Sequence, residues 1–311
     1  MRFKGKVFDR LSAWNSGNIK DTIVVVGAPR SGTTWLAELL RELPGYKLVN
    51  EPLRLSTQPA ARAAGFDWRT HVAPHEKRPE MSRYLSDVLR GDVELGPAWH
   101  FRSENTFAKL WEHMTHHWVI VKFCRAGRLL HWMAQQFDTR GIVVIIRHPC
   151  AVIASMLNMG DNWQPRDIQK KAVLKRLKGL VSDSLIDELT SIPGATDTWV
   201  GHLAIQWSLD YYFALHGHAV ESNDYPWTLT SYERLFIERR NELGRIISGL
   251  HGTMTSDIAS KIGKPSAFAA NNFSFDREHQ LSKWKKEFAS EQVQTILSVA
   301  DTFGLGFYKE E

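Results

Sequence analysis

Three observations predict an α/β fold, with a parallel sheet covered by helices on both faces as a three-layer αβα arrangement. Five short apolar or β-branched runs recur along the chain, separated by segments long enough to hold helices. The first run, Ile23-Val24-Val25-Val26, passes through a glycine turn into Trp35, Leu36, Leu39, Leu40 and Leu43, spaced as the buried face of a helix. The polar groups of chemical interest fall just after the run ends, where open parallel sheets bind their ligands.

The candidate strands, in order, are Thr22 to Gly27, Tyr46 to Val49, Trp118 to Phe123, Gly141 to Arg147, and Trp227 to Tyr232. After the fourth, Arg147-His148-Pro149 opens a helix at Pro149, because proline suits a first turn whose N–H has no partner anyway. A last helix is expected from Glu291 to Phe303, N-capped by Ser290, with Val293, Ile296, Leu297 and Ala300 on one side and Gly304 ending it. Two stretches, 53–117 and 161–198, are too long for simple crossovers and rich in Trp, His, Arg and Gly. They read as insertions into a single domain spanning 1–311, and they are expected to wall an acceptor cleft.

The turn Gly27-Ala28-Pro29-Arg30-Ser31-Gly32-Thr33-Thr34 carries the strongest chemical signal. Backbone N–H groups of such a loop and the positive end of the following helix converge on one spot, which suits an anion. A nucleoside triphosphate loop reads GxxxxGK followed by Ser or Thr, and its lysine reaches the terminal phosphates. Here Thr33 stands at the lysine position and the cation has moved back to Arg30. The cradle therefore suits a phosphate without a triphosphate tail or an obligatory metal. A second constellation follows the fourth strand: Arg147 at its end and Ser155 two turns into the next helix converge on one further anion.

Together the two motifs resemble the sulfotransferases that use 3′-phosphoadenosine 5′-phosphosulfate. The resemblance rests on the Pro-Arg-Ser-Gly-Thr-Thr-Trp loop and the later Arg-x-Pro…Ser motif, and it extends through Lys122, Ser231-Tyr232-Glu233-Arg234-Leu235 and Leu281-Ser282-Lys283-Trp284. It implies the nucleotide-kinase-like P-loop fold with strand order 2-3-1-4-5. It also implies that Arg30, Ser31, Gly32, Thr33 and Thr34, with Trp35 closing the motif, hold the 5′-phosphosulfate, while Arg147 and Ser155 hold the 3′-phosphate. By the same resemblance Tyr232 would serve the 3′-phosphate or the adenosine, and Lys283 with Trp284 would close over the nucleotide.

Sulfuryl transfer needs cations at the leaving oxygen and a base at the acceptor. Arg30 and Lys122 are the candidates for the first task. Glu51, in Asn50-Glu51-Pro52-Leu53 after the second strand, is the candidate base, in a setting that resembles carbohydrate and tyrosylprotein sulfotransferases rather than small-phenol enzymes. His100 is the runner-up base. Among 12 tryptophans, Trp68, Trp99, Trp111 and Trp163 fall in or beside the insertions, where flat rings can stack on sugars, so a carbohydrate hydroxyl is the favoured acceptor.

A formal net charge of +5 fits an anionic ligand, and nothing in the sequence supports nucleic acid. The basic run from Arg166 to Lys178 carries Ile168, Leu174, Leu177 and Val181 at helical spacing and reads as a solvated helix face, or as a surface meeting an anionic acceptor. Only Cys124 and Cys150 are present, which gives no disulfide framework and no metal-ligand spacing, so no metal is expected. No apolar window spans a membrane and the start lacks a secretory core, so a cytoplasmic protein is expected. The alternatives are a P-loop nucleoside or small-molecule kinase and a non-catalytic nucleotide-binding protein. Oligomeric state is not legible.

Overall fold

A computed structural model describes residues 16–92, 111–112, 114–159, 170–215, 226–266 and 276–308, without the side chains of 277 and 278. Its centre is a five-stranded parallel sheet made of β1 (Ile23–Val26), β2 (Tyr46–Asn50), β3 (Trp118–Phe123), β4 (Gly141–Ile146) and β5 (Thr228–Ser231), in the order β2-β3-β1-β4-β5. This is the order the family resemblance implies. β1 is central, with Val25 registered between Lys122 and Val143. It is buried along its whole length, as a strand covered on both faces must be.

The alternation of side chains across β1 separates two apolar layers. Val24 and Val26 point into one with Val121, Phe123, Ile142 and Val144, and Ile23 and Val25 point into the other with Ile120, Val143 and Ile145. The second layer is closed by α1 (Thr33–Leu40), which contributes Trp35, Leu36, Leu39 and Leu40. The first is closed by α2 (Pro79–Arg90), α3 (Leu130–Gln136), α4 (Pro149–Leu157), α5 (Trp199–Leu215) and α6 (Ser290–Thr302).

Several boundaries differ from those expected. Thr22 and Gly27 flank β1 rather than belong to it, β2 runs one residue further to Asn50, Arg147 has already left β4, and β5 lacks Trp227 and Tyr232. The last helix begins at Ser290, with Ala289 rather than Ser290 at the cap. The Gln292 side chain reaches back to accept the Ala289 N–H at 3.0 Å, so the cap is made by the third helical residue and needs no serine hydroxyl. Gly304, with φ of 70°, ends that helix as expected. Within 53–117, α2 buries Met81, Leu85, Val88 and Leu89 in the core, so part of that stretch is a structural layer. In the basic run, a helix over Lys170–Leu177 turns Val173 and Leu177 inward and leaves Lys170, Lys171, Lys175 and Arg176 exposed, while 160–169 lie outside the described residues.

The turn after β1 depends on Gly27 in a measurable way. A Cβ there would stand 2.4 Å from the Ile145 carbonyl oxygen and 2.9 Å from Thr33 Cγ2, and the oxygen belongs to a neighbouring central strand. Gly27→Ala should therefore cost about 1 to 3 kcal/mol. Urea unfolding of the variant against the parent checks this, and an unshifted midpoint would show that β4 yields freely.

Candidate active site

The loop between β1 and α1 is shaped by two left-handed residues, Arg30 at φ 70° and Gly32 at φ 90°. Only Gly32 takes that conformation without steric cost, since a Cβ there would also strike Tyr232 at 2.6 Å. No side chain caps α1, so its first N–H groups remain directed at an incoming anion. Two of the loop's hydroxyls face inward. Ser31 Oγ lies 2.8 Å from Tyr211 Oη, which also accepts the Ala28 N–H at 2.9 Å and donates to the Ile145 carbonyl at 2.9 Å. Thr33 Oγ1 lies 3.3 Å from Cys124 Sγ. Ser31 and Thr33 thus fasten the loop to α5 and to the residue that follows β3, and Thr34 is the hydroxyl left half-buried beside Lys122, whose Nζ donates to it at 3.3 Å.

A cationic group gathers on the β4 side. Arg30 Nε donates to Ser155 Oγ at 2.9 Å, and Arg147 donates from Nη1 to the Arg30 carbonyl at 2.9 Å while its guanidinium lies 4.1 Å above the Tyr232 ring. The Tyr232 hydroxyl accepts from Gln280 at 3.0 Å, and Gln280 in turn accepts from Lys283 Nζ at 3.2 Å. The two anion-binding constellations expected from the sequence are therefore joined, with Arg30 reaching from the loop to Ser155. None of Arg30, Arg147 and Lys283 has a carboxylate within ion-pair distance among the described residues, and the buried Nε of Arg147 has no hydrogen-bond partner. Burial and then the Arg147 charge depress the Arg30 guanidinium, and Lys283 is lowered by burial and then by Arg147 and Arg30. Three cations that repel one another at one place form a site that an anion would stabilise.

Trp35 and Trp284 lie in packed surroundings. Trp35 packs against Tyr232 and Phe236 and donates from Nε1 to the Lys264 carbonyl at 3.2 Å, which makes it the floor beneath Tyr232. Trp284 stacks on His148 with ring centroids 4.5 Å apart, while Glu233 accepts the His148 N–H at 3.0 Å and the Tyr308 hydroxyl at 3.1 Å. These contacts fix the turn that carries Arg147.

The carboxylate group stands at the ends of β2 and β3. The Glu51 N–H continues the ladder by donating to the Lys122 carbonyl at 2.9 Å, and the residue then turns left-handed at φ 56°, a strain of about 1 to 2 kcal/mol for a residue with a Cβ. The turn drives its carboxylate inward, where Oε1 meets Lys122 Nζ at 2.9 Å and Oε2 accepts from Arg125 Nη1 at 2.8 Å. Burial alone would raise the Glu51 carboxyl, but Lys122 and Arg125 outweigh it and hold the group below its ordinary value. For Lys122, burial opposes the charge while Cys124 and Glu51 restore it, with a net rise.

Glu51, Lys122 and Thr34 are thus brought together, and so are Arg30, Arg147, Ser155, Tyr232 and Lys283. His100, Trp99 and Trp163 lie outside the described residues. Sequence reasoning missed Arg125, Tyr211 and Gln280. Arg125 follows Lys122 by one turn's reach past the same strand end and was open to the same argument. Tyr211 sits in an almost wholly buried helix, where no pattern distinguishes a loop anchor from a core tyrosine. Among the described residues no group of His, Cys, Asp and Glu is arranged to hold a metal ion, and no helix is long and apolar enough to cross a membrane.

The model of the sulfotransferase family matches residues 22–184. No curated protein matches the sequence. Among solved structures, the sulfotransferase domain of the olefin synthase of Synechococcus PCC 7002 is 15% identical, with 96% of this chain and 97% of that one covered and a TM-score of 0.46. The mouse sulfotransferase SULT7A1 complexed with PAP is 16% identical, with 94% and 88% covered and a TM-score of 0.43.

Proposed function

The chain belongs to the sulfotransferase family, whose model spans more than half of its length, and on that premise we propose that it moves a sulfuryl group from 3′-phosphoadenosine 5′-phosphosulfate to an acceptor hydroxyl. The observation that carries the donor is the cluster of Arg30, Arg147 and Lys283, which has no carboxylate within ion-pair distance among the described residues and adjoins the uncapped start of α1. An adenine nucleotide with phosphates at both its 5′ and 3′ positions satisfies both places at once. The loop N–H groups and Thr34 receive the 5′-phosphosulfate, and Arg147 with Ser155 receives the 3′-phosphate. Tyr232 and Lys283 border the nucleotide, and Trp35 and Trp284 support it from behind.

In the proposed reaction the acceptor oxygen bonds to sulfur as the bond from sulfur to the bridging oxygen breaks, and adenosine 3′,5′-bisphosphate leaves. Glu51 takes the acceptor proton. Lys122 meets the charge that gathers on the bridging oxygen and is the group able to give it a proton, because a guanidinium such as Arg30 supplies charge but gives up protons poorly. A carbohydrate hydroxyl is the favoured acceptor, supported by Trp68, which is 46% exposed and whose ring lies against Arg125, the partner of Glu51. A cytoplasmic setting belongs to the same reading, in line with Cys124 and Cys150 forming no disulfide.

Titration calorimetry, run in a metal chelator for the bisphosphate and with added magnesium for ATP, tests the donor. Adenosine 3′,5′-bisphosphate should bind without magnesium. Tight binding of magnesium-ATP with none of the bisphosphate would instead identify a kinase, and a protein that binds the bisphosphate but transfers no sulfuryl group to any of a panel of glycans, peptides and alcohols would be a non-catalytic nucleotide binder.

A further inference from the structure

Beyond the ion pair of Glu51 and Lys122, the described residues hold a second buried charge network that the transfer chemistry does not use. Asp210, on α5, pairs with Arg69 and, at 3.1 Å, with Arg128, which also donates to Gln206 Oε1 at 3.0 Å. Arg125 stands between the two networks. It donates to Glu51, its guanidinium lies 4.2 Å over the Trp68 ring, and its charge is felt by Arg69. Among the described residues four cations, Lys122, Arg125 and Arg128 buried and Arg69 nearly so, are thus paired with two carboxylates, Glu51 and Asp210.

An excess of buried positive charge is costly unless something compensates it. It persists at neutral pH, since burial brings Arg69 down only to about 10 and Arg128 to about 9. His202 adds nothing to it, being held neutral by burial and then by Arg176 and Arg69, with a value of about 4. The 5′-phosphosulfate would engage Lys122, which leaves three guanidinium groups, Arg125, Arg69 and Arg128, against the two carboxylates. One of them has hydrogen-bonding capacity to spare: the Nε–H of Arg125 has no partner among the described residues, although the side chain is only 8% exposed. Trp68, stacked on Arg125 and 46% exposed, connects this point with solvent.

We propose that the acceptor is anionic: a hydroxyl compound whose carboxylate, sulfate or phosphate group is received by Arg125 and Arg69 beside Trp68, close to the hydroxyl that Glu51 deprotonates. The inference rests on the sulfuryl-transfer reading of this site and names the class of acceptor it takes. Arg125 then has two tasks, holding the Glu51 carboxylate and binding the acid. Trp68 offers its ring to the acceptor's apolar face, and a sugar acid has both features. A neutral acceptor would leave the excess charge buried and uncompensated, and this is the physical origin of the selectivity.

Two probes that differ only at one carbon test it: p-nitrophenyl β-D-glucuronide, which carries a carboxylate there, and p-nitrophenyl β-D-glucoside, which carries a hydroxymethyl group. Each is titrated by calorimetry into the full chain, with and without saturating adenosine 3′,5′-bisphosphate. The glucuronide should bind about tenfold tighter or more, as one charge-assisted contact implies. The gap should narrow in high salt and in Arg125→Gln and Arg69→Gln. A glucuronide that binds no better than the glucoside overturns the proposal, as does a preference undiminished in both folded variants. Failure of the bisphosphate to bind counts against the donor reading instead, and the titration without it still reads the acid preference.

Discussion

Replacing Glu51 by glutamine should slow sulfuryl transfer by about 100-fold or more while adenosine 3′,5′-bisphosphate still binds. Glutamine keeps the shape of the side chain and removes its capacity to hold the acceptor proton. The depressed proton affinity of Glu51 makes it a weak base in the resting protein, which at first weighs against the role. The cause of the depression answers the objection. Lys122 and Arg125 are what lower it, and Lys122 is the cation that the proposed reaction draws towards the bridging oxygen. As that charge is shared with the leaving group, the Glu51 carboxylate regains affinity for a proton at the stage where one arrives. The sign for pH follows. A base with a lowered value stays ionised through the neutral range, so kcat/KM should fall only at pH below the ordinary carboxylate value, and this acid limb should vanish in the glutamine variant. Glutamine also leaves two buried cations without their carboxylate, so lower thermal stability is expected and must be measured beside the rate. Full activity in a folded E51Q protein would move the base elsewhere, with His100 the next to test.

The parts of this architecture that were legible in the sequence are those fixed by local rules. Ile23-Val24-Val25-Val26 reads as a fully buried strand because no polar residue interrupts it, and the glycine turn reads as an anion cradle because its backbone geometry is local to a few residues. Pro149 marked its helix start for the same reason. What was not legible depends on contacts distant in sequence. Tyr211 anchors the loop from 183 residues away at Ala28, and no periodicity in α5 distinguishes it. The reach of Arg30 to Ser155 joins two motifs that looked independent, since the direction of a long side chain follows from the left-handed backbone beneath it. Ser290 failed as a cap because a glutamine two residues on reached back and made the bond from its own side. The inward turn of Glu51 is a related case: only the pair of cations at the end of β3 accounts for a carboxylate held under a strained backbone.

Replacing Arg147 by alanine should weaken binding of adenosine 3′,5′-bisphosphate by about 2 to 4 kcal/mol, or roughly 30- to 1,000-fold. The estimate is a net one, because removing this guanidinium also relieves the repulsion that lowers Arg30 and Lys283. Two mechanisms would produce a loss of that size, and they differ in what else they do. If Arg147 binds the 3′-phosphate, its partnerless Nε supplies the contact and only ligands with that phosphate should suffer. If instead its main work is the bond from Nη1 to the Arg30 carbonyl, which steadies a left-handed loop residue, the 5′ site should slacken as well. Adenosine 5′-monophosphate separates them, since it lacks the 3′-phosphate and still fills the loop. A large loss for the bisphosphate with little change for the monophosphate assigns Arg147 to the 3′-phosphate. Equal losses for both would make it a support of the loop, and unchanged affinity for both would remove it from the donor site altogether.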